Sequence, residues 1–170
     1  MDKWEYVDLN VNGSTRLDEL LLLAHYAKIA SPDGLILDIG TCEGRSVFAL
    51  ALGCPIGTKV ITIDPTPNPR FYGHRKELGF DSTIEIIEKK SQDIIWDKPI
   101  DLFFNDGLHN YQGIIEDNAI YCPFVKPGGL CMFHDFKLYS DTVGKAILEG
   151  EGKYYERVKI VDNIYIGKKI

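Results

Sequence analysis

The feature that most restricts how this chain can fold is a series of short, almost wholly apolar segments, each ending in Gly, Asp or Asn. LILDIG (35–40), KVITID (59–64), IDLFFND (100–106) and GGLCMFHD (128–135) lack the polar alternation of a half-exposed strand. Such strands are covered on both faces, the condition of central strands in a parallel sheet. STIEIIEKK (82–90) reads as one more strand. Parallel neighbours need crossovers, and the intervening stretches have helical spacing. Helices are predicted over 17–30, with Ser14 or Thr15 as cap and SPDG as stop, over 43–53, about 70–78, 111–125 with a bend near Pro123, and 141–149. KPGG (126–129) reads as a turn. Two final strands, about 154–161 and 163–169, flank a tight Asp162–Asn163 turn, so the last strand runs antiparallel to its neighbour. The expected fold is α/β: a doubly wound, seven-stranded, mostly parallel sheet with an antiparallel C-terminal strand. It fills a single domain, 1–170, with an N-terminal helical segment at 1–31 and the core at 32–170.

Ligands of doubly wound sheets bind beyond the carboxyl ends of the strands, where strand order reverses. The first strand delivers Asp38, Gly40, Thr41, Cys42, Glu43 and Gly44 there. The glycines allow a tight turn and close backbone approach, and Asp38 suits an ammonium group or a loop N–H. Asp64 ends the second strand, placed to accept both hydroxyls of a ribose. Ser91, Gln92 and Asp93 follow the third strand and suit an adenine edge. A dinucleotide needs G-x-G-x-x-G for its pyrophosphate. Here Cys42 takes the middle glycine position and Glu43 sits in the turn. Like-charge repulsion disfavours pyrophosphate, whereas a sulfonium carrying an ammonium tolerates acids, so the pattern favours S-adenosylmethionine over NAD.

LILDIGTCEGRSVFALALG, VITIDP and IDLFFNDGLHNYQGIIEDNAIYCPFVKPGGLCMFHDF closely resemble class I S-adenosylmethionine-dependent methyltransferases. The nearest group holds macrocin-type sugar O-methyltransferases and cephalosporin-hydroxylase-like proteins. The resemblance spans roughly 30–170 and implies seven strands with the last antiparallel. It places Asp38, Gly40 and Gly44 in the cofactor turn, Asp64 on the ribose, and Ser91, Gln92 and Asp93 beside the adenine. It also implies a D-x-x-H element, matched by Asp106 and His109, that supplies a metal ligand and a general base. Where the family has an acidic pair after the next strand, this chain has His134 and Asp135.

Asp106 ends the fourth strand and His134 and Asp135 the fifth, so the three side chains are expected to converge on a divalent ion such as Mg²⁺ or Mn²⁺. Asp106 also belongs with the cofactor ligands, and His109 is placed to take the acceptor's proton. Glu116 and Asp117 read as an exposed helix face, and His25 as a packed residue. Arg70, Tyr72, His74 and Arg75, in the proline-rich loop, are candidates for an acceptor site.

Net charge is −6, which with no basic patch and no N-P-P-Y element argues against nucleic acid. The longest apolar run is too short to span a bilayer, and the N-terminus lacks a signal-peptide pattern. Cysteines 42, 54, 122 and 131 lack C-x-x-C spacing and read as buried free thiols of a cytoplasmic protein. The expected activity is O-methylation of a small sugar or natural-product hydroxyl with divalent-metal assistance, in a site that either a homo-oligomer partner closes or a large acceptor partly fills. The alternative is a catalytically inactive, cofactor-binding regulator.

Overall fold

The computed structural model describes residues 1–170. One sheet contains β1 (Leu35–Ile39), β2 (Lys59–Ile63), β3 (Ile84–Ile87), β4 (Ile100–Asn105), β5 (Val125–Phe133), β6 (Tyr155–Val161) and β7 (Ile164–Lys169). Their order is β3-β2-β1-β4-β5-β7-β6. The first five strands run parallel, and β7 lies antiparallel between β5 and β6. Helices α1 (Lys3–Asn10), α2 (Leu17–Ala27), α3 (Arg45–Gly53) and α4 (Arg70–Glu77) cover one face, and α5 (Tyr111–Tyr121) and α6 (Lys145–Gly150) the other.

The apolar runs explain the layering. Successive residues of a strand point to opposite faces. Ile36, Leu102, Leu130 and Met132 enter the core beneath α1–α4. Their neighbours Leu37, Phe103, Cys131 and Phe133 enter the core beneath α5 and α6. Each such large side chain contributes about 1.5–3 kcal/mol on burial. A strand of this composition placed at an edge would leave one row in water, so β1, β4 and β5 take the centre.

Several local features differ from the sequence reading. Helix α1 was not anticipated, because only Val7 of it is buried and its polar residues show no apolar stripe. Helix α2 starts after Arg16, whose N–H donates to Glu19 Oε2 at 2.9 Å, and neither Ser14 nor Thr15 caps it. KPGG lies inside β5, where the register against β4 jumps between Ile100 and Leu102, so its turn chemistry makes a bulge. Helix α5 stops at Tyr121, and Pro123 sits in the following 3₁₀ turn. Cys122 and Cys131 are buried, but Cys54 is only half-buried and Cys42 is exposed. His25 is exposed as well, on the outer side of α2. No helix is long and apolar enough to cross a membrane.

Arg45, the first residue of α3, gathers the N-terminal segment onto the sheet. Its guanidinium donates to the carbonyls of Val7, Asp8, Val11 and Thr15 at 2.6–3.2 Å and to the Asp8 carboxylate at 2.8 Å. The segment 11–16 is thereby strapped across the carboxyl edge of the sheet. Charged donors to carbonyls are each worth about 1.5–3 kcal/mol, but part of this cluster faces water. Arg45→Ala is therefore expected to destabilise by about 3 kcal/mol, read as a lower urea midpoint with an unchanged m-value.

Candidate functional site

Strand order reverses between β1 and β4, and a cavity of about 550 Å³ opens there at the carboxyl ends of the strands. Gly40 makes this possible. Its φ is +99°, and a Cβ would lie 2.2 Å from the carbonyl oxygen of Asp106. The β1 turn thus passes in backbone contact with the end of β4, and only glycine fits.

Among the predicted cofactor residues, Gly40, Thr41, Asp64, Ser91, Gln92 and Asp106 line the cavity, and His109 stands at its rim. Asp64 is pre-oriented by N–H groups of Cys42 (3.1 Å) and Thr66 (2.8 Å), one on each carboxylate oxygen. Each oxygen retains a free lone pair for a hydroxyl donor. Asp38 lies beneath the cavity, not in it. It is fully buried and accepts from Ser46 Oγ at 3.0 Å and Thr62 Oγ1 at 2.5 Å. Thr41 and Thr62 share a further hydroxyl contact at 2.6 Å. Asp38 therefore braces the turn from below, and no face of it is open to an ammonium group.

Glu43, Gly44 and Asp93 also fall outside the cavity. Glu43 is buried and turned toward the N-terminal strap, accepting from the N–H of Asn12 at 3.0 Å and its Nδ2 at 3.2 Å. The charge argument against pyrophosphate loses Glu43 and rests on Asp64 and Asp106. Gly44 starts α3 at φ +105°, where a Cβ would meet the Phe48 ring at 2.4 Å. Asp93 is exposed at the end of a 3₁₀ turn, Ser91–Asp93. The proline-loop candidates do not reach the cavity either. Tyr72 donates to Glu88, Arg75 pairs with Asp81, and Arg70 and His74 approach Glu43.

Asp106, His134 and Asp135 converge, with one ligand atom from each lying within 4.8 Å of the others. Nδ1 of His134 is 3.1 Å from Asp106 Oδ1 and 3.3 Å from Asp135 Oδ1, yet it makes no hydrogen bond. An orphaned, buried nitrogen facing two carboxylate oxygens at these separations fits the edge spacing of ligands about 2.1–2.3 Å from a common cation. The donor set therefore suits a divalent ion. Nε2 of His109 is 2.8 Å from Asp135 Oδ2 and 3.6 Å from Asp106 Oδ1, and its ring stacks on Tyr139 at 4.8 Å. Asp106 and Asp135 together lift the His109 imidazole to about 9. For His134, burial pulls downward, but the same two carboxylates prevail and carry it to about 11. Burial opposes ionisation of Asp135, and the two imidazoles overcome it, holding the carboxyl well below its usual range.

Three supports were missed in the sequence. Glu19 of α2 is buried and reaches His134 Nε2 at 3.3 Å. Asn163, in the β6–β7 turn, donates to Asp135 Oδ1 at 2.7 Å. Asp117, read as part of an exposed helix face, is buried and accepts from Gln92 at 2.8 Å and Asn105 at 2.9 Å. Burial raises its carboxyl while donors from Ser91, Asn105 and Gln92 act against the rise. The strap residues Asn12 to Thr15 form one cavity wall. Each reaches the site from far along the chain, so no local pattern announces it.

A seven-stranded sheet with an antiparallel β7 inserted beside β5, and a cavity at the β1–β4 reversal, is the architecture of class I methyltransferases. Residues 37–136, more than half of the chain, match the family described as a methyltransferase domain, and the chain belongs to that family. The uncharacterized protein R132 of Acanthamoeba polyphaga mimivirus is 29% identical over 153 residues, covering 81% of this chain and 67% of that protein. Among solved structures, the fold is similar to the O-methyltransferase TomG of Streptomyces achromogenes, involved in tomaymycin synthesis and solved with SAM. The two share a TM-score of 0.74 and 17% identity, over 99% of this chain and 90% of TomG. It is also similar to the SAH-bound methyltransferase PaMTH1 of Podospora anserina, with a TM-score of 0.71 and 15% identity, over 99% and 86% of the two chains. An rRNA methylase of Streptococcus thermophilus has a TM-score of 0.69 and 14% identity, over 88% and 95%.

The brace under the turn yields a pH prediction. Burial pushes the Asp38 carboxyl up to about 7, against the lowering effect of its Thr62 and Ser46 donors. The folded chain thus holds this proton more tightly than the unfolded one, whose carboxyl titrates at about 3.9. The stabilisation is full below about pH 4 and is lost as pH rises through about 7. Asp38→Asn removes that titration, so its stability relative to the parent should rise across this window in paired urea titrations.

Proposed function

We propose that this chain is an S-adenosylmethionine-dependent methyltransferase that transfers methyl to a hydroxyl of a small acceptor, a sugar or natural product, with divalent-metal assistance. The observation that carries the reading is one cavity in which the β1 turn, Asp64, the 91–92 turn and the Asp106–His109 loop meet. The SAM- and SAH-bound proteins of the same fold support the choice of cofactor. The resemblance to macrocin-type enzymes supports a sugar-like acceptor, and the net charge of −6 supports a small acceptor over a nucleic acid.

S-adenosylmethionine, when bound, supplies an electrophilic sulfonium methyl. Gly40 and Thr41 give it a close backbone wall, Asp64 accepts the ribose hydroxyls, and Ser91 and Gln92 meet the base. Asp106, His134 and Asp135 would hold the divalent cation, which supplies a Lewis acid that lowers the pKa of an acceptor hydroxyl. Asp106 would belong to both ligand sets, since it lines the cavity and also faces His134. His109 takes up the hydroxyl proton on Nδ1, because Nε2 carries the hydrogen that Asp135 Oδ2 accepts at 2.8 Å. Asp135 orients that imidazole and raises its basicity, and Tyr139 fixes the ring plane. Its side chain remains 42% exposed beside those contacts.

Calorimetry should show S-adenosylhomocysteine binding and no binding of NAD; the reverse result removes the cofactor assignment. Asp64→Ala should weaken S-adenosylhomocysteine at least about tenfold, the value of a charge-assisted hydrogen bond. His109→Ala should lower turnover by about 10²-fold, the size of a general-base contribution, with cofactor affinity within about twofold of the parent. Methylation of hydroxylated acceptors should fall in EDTA and return with Mg²⁺ or Mn²⁺; equal rates in chelator would remove the metal from the reading.

A further inference from the structure

We propose that Asp117 sets the base specificity of the cofactor site by fixing which end of the Gln92 amide faces the cavity. The group so presented, a carbonyl oxygen, selects adenine over hypoxanthine. This rests on the reading of the cavity as an adenosyl site.

An amide side chain has a donor end and an acceptor end of nearly equal shape, and its polarity is settled by whatever holds one end. Asp117 holds both amides near the site. Its Oδ1 accepts from Nε2 of Gln92 at 2.8 Å, and its Oδ2 accepts from Nδ2 of Asn105 at 2.9 Å. Asn105 is fixed a second time, since its Oδ1 accepts from the N–H of Gly107 at 3.1 Å. An ionised carboxylate only accepts, so neither amide can turn over while Asp117 is charged. Gln92 lines the cavity, and with Nε2 committed to Asp117 its remaining polar atom is Oε1. A base with a 6-amino group donates to that oxygen. A 6-oxo base sets two acceptors against each other and leaves both unpaired, at a loss of about tenfold or more in affinity.

Asp117 is a positioning residue, because Gln92 stands between it and the ligand. Its position also explains why a carboxylate is buried on α5 with only 1% exposure. A buried charge needs partners, and these partners come from the 91–92 turn and the end of β4. One side chain thereby links the base end of the cavity to the loop that carries Asp106.

The test is calorimetry of the full chain with S-adenosylhomocysteine and S-inosylhomocysteine. The parent should prefer the adenosyl ligand at least about tenfold. In Asp117→Asn, the new amide oxygen goes to Asn105, which Gly107 still holds, and its NH₂ goes to Gln92. Gln92 then turns over and presents its own NH₂, so the preference should vanish or invert. Gln92→Leu should bring the ratio near one and serves the same purpose if Asp117→Asn does not fold. A merely structural Asp117 would weaken both ligands in parallel with the ratio kept, which overturns the proposal. Equal binding of both ligands by the parent overturns it while leaving the adenosyl reading intact. Failure of the parent to bind S-adenosylhomocysteine removes that reading and the proposal together.

Discussion

Backbone meets backbone where Gly40 passes Asp106, and the rest of the site depends on that contact. The ladder continues one residue past each strand: the N–H of Gly40 donates to Ile63 and that of Asp106 to the Ile39 carbonyl, both at 2.9 Å. With no side chain between them, the β1 turn and the Asp106–His109 loop stand at a fixed separation. Any larger residue at position 40 would have to push the two loops apart, against a parallel sheet whose strands are buried on both faces. The separation of the two loops is thus set by the sheet.

Around that contact the chain concentrates acids. Asp38 and Glu19 are buried, Asp64 and Asp106 line the cavity, and Asp135 lies behind the rim. Asp38, Glu19, Asp64 and Asp135 are each held by donors of their own, so the cost of gathering them is offset locally by hydroxyls, N–H groups and an amide. Along the cavity itself Asp64 and Asp106 are matched by Arg45 and Lys90, so the acids act through their individual contacts rather than as one field. The two imidazoles with raised pKa values belong to the same logic, since each answers two carboxylates in contact with it.

Much of the sheet was legible because its signal is local. An apolar run such as LFF reports burial on both faces wherever it sits, and the Asp162–Asn163 turn fixes an antiparallel hairpin by its own chemistry. Positions at strand ends followed from the sheet, which is why Gly40, Asp64, Gln92 and Asp106 were placed along one cavity. Residues whose role comes from a distant partner were not. Helix α1 has almost no apolar face and is held by Arg45 from outside. Asp117 looks like a solvated helix residue until Gln92 and Asn105 are brought beside it. Asp38 and Glu43 share the β1 turn with residues that line the cavity, and only the direction of each side chain separates them. Cys42, exposed at φ +47°, lies in the same turn.

Asn163 has a consequence for how the protein comes into being. It follows Asp135 by 28 residues, and besides that carboxylate it receives the N–H groups of Lys137 and Leu138 on Oδ1 and that of Phe136 on its carbonyl. The loop after β5 therefore takes its shape only when the β6–β7 hairpin has been made and has docked against β5. A ribosome releases the chain from its N-terminal end, so the β1 turn is available before the corner around Asp135 can form. That corner depends on a long-range contact between sheet strands, the kind that forms late because its loop-closure cost comes first.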